Sequence, residues 1–187
     1  MSERFCTVGH SNRSLDAFIA ILHAAGVTSV ADVRSFPRSR SNPAYNIDTL
    51  PETLQHRQIG YRHFPDLGGR RPKQAQVDAD INAFWDNRSF HNYADYALSP
   101  AFVSAYQALV AAGRARCIAL MCSEAVWWRC HRRIITDYLL LDGFDVTHLM
   151  GDGREDPAKP TVAARRSGDG KVIYPAPAAT DQRAASH

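Results

Sequence analysis

Short apolar β-type runs alternate along this chain with amphipathic helical segments, and glycines mark the changeovers. Phe5-Cys6-Thr7-Val8 is the first such run, stopped by Gly9. Ser14 is a good helix N-cap, Asp16 suits the first turn, and Leu15, Phe18, Ile19 and Leu22 follow helical spacing up to Gly26. Residues 27–33 then read as a buried strand rich in β-branched side chains. A strand, a helix and a second strand in this order form a crossover with its strands parallel.

The same alternation continues. A helix beginning at Asp48 carries Leu50 and Leu54, tolerates Pro51 in its first turn and closes at Gly60, and Tyr61 to Phe64 follows as a strand. Residues 68–87 are polar and weakly patterned, which predicts an excursion or lid. Helical signal returns over 91–98, and Ser99-Pro100 then caps and opens a helix with Phe102, Tyr106, Leu109 and Val110 on one face. Cys117 to Met121 is the most apolar run and is expected at the sheet centre. A helix over 130–142, Gly143, and a strand over 146–149 complete the pattern.

This order predicts an α/β fold: a single-domain three-layer, Rossmann-like arrangement with a mostly parallel sheet over residues 1–150. Residues 151–187, rich in Gly, Pro, Ala and charge, are expected to form a flexible C-terminal tail with a short strand at 172–174. No apolar stretch approaches the ~20 residues that span a bilayer. The first residues run straight into a strand, so no signal peptide is expected, and the chain is expected to be cytoplasmic. In such a compartment Cys6, Cys117, Cys122 and Cys130 are thiols or ligands rather than disulfides.

The formal charge of +3 is too small to indicate nucleic acid, although Lys73, Lys159 and Lys171 are the only lysines and arginine carries the rest. Arginine suits a bidentate grip on phosphate or carboxylate. Ligands of open α/β sheets bind beyond the carboxyl ends of the strands, which gathers residues 9–13, 34–40 and 122–133 on one edge.

The densest chemistry is Cys122-Ser-Glu-Ala-Val-Trp-Trp-Arg-Cys-His-Arg-Arg133. A thiol at a strand exit ahead of a helix start, among arginines, is where a thiolate is favoured. The expectation is Cys122 as nucleophile or redox thiol, Glu124 and His131 managing protons, and Cys130 as resolving thiol. His10, Ser11, Asp32, Arg34, Arg38, Arg70 and Arg132 are the candidate substrate-binding residues, with the arginines holding an anion. Cys122, Cys130 and His131 also offer donors to a metal, although no metal is assigned and the cofactor is left unknown. Trp127 and Trp128 offer planar faces for a base, with core packing the alternative for at least one of them.

Four segments make the chain resemble the domain of unknown function 488 family over about residues 5–150. They are Thr7-Val-Gly-His-Ser-Asn-Arg-Ser14, Asp32-Val-Arg-Ser-Phe-Pro-Arg-Ser-Arg40, Leu67-Gly-Gly-Arg70 and Leu120-Met-Cys-Ser-Glu-Ala-Val-Trp-Trp-Arg-Cys-His-Arg-Arg133. The resemblance implies a shared site and no particular reaction. A weaker likeness to rhodanese-type sulfurtransferases lies in Asp32-Val-Arg34 and in Cys122 ahead of a helix, Gly143-Phe144 and Leu149-Met-Gly151. In that family the cysteine carries a persulfide in a glycine-containing loop, whereas here two tryptophans and no glycine follow Cys122. The reading is an enzyme, a thiol-dependent transferase or hydrolase, acting on an anionic small molecule or nucleotide. The alternatives are a nucleic-acid or nucleotide binding module, or a metal-binding protein using Cys122, Cys130 and His131.

Overall fold

A computed structural model describes residues 4–178. Its six-stranded sheet runs β3-β2-β4-β1-β5-β6, where β1 is Arg4–Gly9, β2 Ser29–Asp32, β3 Gly60–His63, β4 Ile118–Cys122, β5 Asp145–Gly151 and β6 Arg154–Pro157. The first five are parallel and β6 is antiparallel to β5. As expected, β4 lies inside the sheet, flanked by β2 and β1.

Helices cover both faces because strand side chains alternate. Cys6, Val8, Ala119 and Met121 pack with α1 (Leu15–Ala24) and α2 (Leu50–His56). Phe5, Ile118, Leu120 and Cys122 pack with α3 (Arg88–Tyr96), α4 (Pro100–Gly113) and α5 (Arg132–Leu141). Ser14 and Ser99 cap α1 and α4 through their side chains, as their positions before the apolar stripes predict.

This topology places the site. From β1 the chain crosses to β2 by way of α1, passing β4; from β4 it crosses to β5 by way of α5, passing β1. The neighbours β1 and β4 thus send their connections in opposite directions along the sheet, over opposite faces. The crevice beyond their carboxyl ends is the switch point where ligands of open sheets bind. The two exits stay paired past the strands: the His10 N–H donates to the Cys122 carbonyl at 2.9 Å and the Ser11 N–H to the Ser123 carbonyl at 3.1 Å. Only glycine permits this approach, since a Cβ on Gly9 would lie 1.9 Å from the Glu124 carbonyl oxygen.

The described part of the C-terminal segment differs from the tail expected beyond Gly151. β6 extends the sheet, and Arg165–Arg166 (β7) pairs with Val172–Ile173 (β8) as a small hairpin. Tyr174 is fully buried, donating its hydroxyl to Asp137 at 2.8 Å, while its backbone N–H donates to Asn82. The excursion over 68–87 is held by the same contacts, with Asn82 bound to the buried Asp95 and Trp85 packed against Tyr174. No helix among the described residues is long and apolar enough to cross a membrane.

Candidate functional site

A cleft of about 930 Å³ opens at this switch point, and the loops after β1, β2 and β4 meet Gly69, Arg70 and the start of α5 there. Its floor is sulfur and imidazole. Cys122 ends β4 with its side chain on the α5 face, and Cys130 and His131 stand just ahead of α5. These two sulfurs and one ring nitrogen of His131 lie within 4.8 Å of one another.

The ring of His131 is oriented by its surroundings. Its Nε2 lies 2.7 Å from the Val33 carbonyl, which accepts only, so Nε2 carries a hydrogen. Nδ1 therefore faces Cys130 Sγ, at 3.6 Å, with its lone pair in the neutral ring. A proton can pass along that line between sulfur and nitrogen. The opposite wall is close: a Cβ on Gly69 would lie 2.8 Å from His131 Nδ1, so the missing side chain is what lets the Gly68-Gly69 loop close over the imidazole.

The thiols differ sharply in their partners. Cys130 Sγ accepts from the backbone N–H of Arg132 at 3.5 Å and from its Nε at 3.3 Å. The guanidinium also donates to the Glu124 carbonyl at 2.6 Å and is 1% exposed. No carboxylate meets Arg132 among the described residues. Burial opposes charge on Cys130, but the Cys122 thiol and Arg132 outweigh it and bring Cys130 down to about 6. Cys122, hydrogen-bonded to Cys130 and buried, is pushed up to about 12.

Behind the cleft lies a second buried ion pair. Asp32, on the α1 face of β2, accepts from Arg34 Nε at 2.9 Å, from Arg34 Nη2 at 2.6 Å and from the Tyr61 hydroxyl at 2.6 Å. Arg34 Nη2 also donates to the Tyr45 carbonyl, and Nη1 to His10 Nε2 at 3.3 Å. Four of its five N–H groups are thus engaged, leaving one on Nη1 for the cleft. His10 is stacked on Tyr45 and binds the Ser11 carbonyl through Nδ1; burial lowers its pKa. Its ring orients Arg34.

Most residues singled out from sequence converge here: His10, Ser11, Arg34, Arg38, Arg70, Cys122, Glu124, Cys130 and His131 all line the cleft. Asp32 and Arg132 do not. Asp32 is buried behind Arg34, and Arg132 behind Cys130. Arg38 reaches the cleft but forks onto Asp48. Arg129 lines the cleft and was not anticipated, although it stands beside Cys130 in the same arginine-dense segment. The tryptophans divide: Trp127 stacks on the buried His148 at 4.3 Å, while Trp128 is 42% exposed.

Cys122, Cys130 and His131 are the donor set among the described residues that could hold an ion. Charge weighs on the choice. A divalent ion balanced by two thiolates leaves Arg132 as an uncompensated buried cation, whereas one thiolate on Cys130 neutralises it with no ion.

Residues 14–139, more than half the chain, match the family model described as domain of unknown function DUF488. No curated protein and no solved structure matches the chain.

Proposed function

The chain belongs to the DUF488 family, and we propose that its cleft is the active site of a thiol enzyme acting on an anionic small molecule, with Cys130 as the nucleophile. The observation that carries this reading is Arg132, a buried guanidinium that meets no carboxylate among the described residues and donates to Cys130 Sγ, the one ionisable group it touches there. An unpaired buried cation is costly, and a thiolate is the one charge available to it. The roles expected of the two thiols are therefore exchanged: Cys130 is the charged sulfur, and Cys122 donates its S–H to it.

In this mechanism Cys130 Sγ attacks an electrophilic centre of the substrate while His131 Nδ1 holds the proton released from the sulfur. The new S–substrate bond forms as the leaving group departs with its electron pair, and His131 returns the proton to it. Glu124, exposed on the cleft wall, is placed to serve the water or second substrate that releases the product. Arginines at the mouth favour an anion, and the cleft has the size of a small-molecule site. A nucleotide falls within this class.

The test is the pH dependence of alkylation by iodoacetamide, read by intact mass. A fast thiol with an inflection near pH 6 that is lost in a Cys130→Ser variant supports the reading. Labelling that rises only above pH 8 refutes it.

A further inference from the structure

We infer that Arg70 and Arg129 grip a phosphate monoester in the cleft, beside the Cys130 thiol. This rests on the thiol reading and names its substrate class. The other arginines near the site are already engaged: Arg34 with Asp32, Arg38 with Asp48, and Arg132 with Cys130. Arg70 and Arg129 line the same cleft, and neither forms an ion pair or side-chain hydrogen bond among the described residues.

Both adjoin the reacting groups along the chain and line the same cleft. Arg129 directly precedes Cys130, and Arg70 directly follows Gly69, whose backbone approaches His131 closely. Arg70 also holds a left-handed backbone conformation, φ 58°, which is unfavourable for a residue with a Cβ. Strain of this kind concentrates where a side chain must be aimed for function. The number of oxygens selects the anion. A carboxylate presents two oxygens in one plane and a single charge, whereas a phosphate monoester presents three terminal oxygens in a tetrahedral array and up to two charges, so two forks from different directions find separate oxygens and a fuller charge balance.

The experiment compares anionic iodoacetate with neutral iodoacetamide at Cys130, with free cysteine as reference. With a free thiolate the anionic reagent is the slower, because like charges repel. At low ionic strength the iodoacetate-to-iodoacetamide ratio at Cys130 should exceed the free-thiol ratio about tenfold. Added salt, or the double substitution R70A/R129A, should return it to the reference value. Inorganic phosphate and glycerol phosphate should protect Cys130, acetate at equal concentration should not, and the double variant should lose the protection. A ratio equal to that of free cysteine, or equal protection by acetate, overturns the phosphate assignment while fast iodoacetamide labelling leaves the thiol reading standing. Slow labelling by both reagents sinks the thiol reading instead. Line broadening of inorganic phosphate in ³¹P NMR, which needs no reactive thiol, then decides the phosphate site: broadening lost in R70A/R129A upholds it, and no broadening in the wild type overturns it.

Discussion

Replacing Arg132 by Gln removes the buried guanidinium and leaves only the Cys122 S–H and the backbone N–H of residue 132 to oppose the burial that favours the neutral Cys130 thiol. The thiol, held at about 6 in the protein, should then climb toward the ordinary value of about 8.5. At pH 6 the thiolate fraction falls from about one half to about 0.3%, a loss of roughly 150-fold, by the ordinary titration relation applied to those values. A more basic thiolate is also a better nucleophile. With a Brønsted slope of about 0.45, a rise of about 2.5 in pKa returns roughly a tenfold gain in intrinsic reactivity. The net expectation is an alkylation rate at pH 6 lower by about tenfold. At pH 9.5, where Cys130 is ionised in both proteins, R132Q should react faster than the wild type, so the two pH profiles cross. Arg132→Lys, which keeps the charge and loses the fork, should give an intermediate inflection. The assay is stopped-flow or quenched alkylation across pH 5 to 10, with circular dichroism to verify the fold. An unchanged inflection in R132Q would mean that Arg132 does not set the state of Cys130, and the reasoning would fail. A uniform change without a crossing would report damaged structure rather than altered ionisation.

Two further substitutions probe the frame of the site. Asp32→Ala strips the buried Arg34 of its carboxylate and should cost about 3–5 kcal/mol of stability, measured by urea unfolding; a loss under 1 kcal/mol would show that water or another group compensates. Gly69→Ala drives a Cβ toward His131 Nδ1 and should destabilise by about 1–3 kcal/mol while slowing Cys130 alkylation, and wild-type kinetics in that variant would show that the loop yields without moving the ring.

Much of the fold was legible because its determinants are local. Ser14 and the Ser99-Pro100 pair announce helix starts, and the period-two alternation in β4 places Cys122 on the face where α5 begins. The convergence of three loops followed from parallel strands alone. The charge distribution did not. Cys122 and Cys130 look alike in a linear chain, and only the folded position of the Arg132 guanidinium over Cys130 separates them. The same holds for Arg34 and Arg38, whose engagement by Asp32 and Asp48 depends on loop geometry. The C-terminal segment hid for a different reason. Tyr174 is buried through Asn82 and Asp137, partners remote in sequence, so composition alone resembles a tail. One signal for β6 was in view: Asp152-Gly153, both at positive φ, is a turn pair that suits a hairpin.

Which sulfur reacts first can be read by peptide mapping after limited alkylation with substoichiometric iodoacetamide at pH 6.5. Modification concentrated on Cys130, with Cys122 untouched until the chain is unfolded, is the expected pattern. Modification of Cys122 first, or equal slow labelling of both thiols, would contradict a Cys130 thiolate held by Arg132.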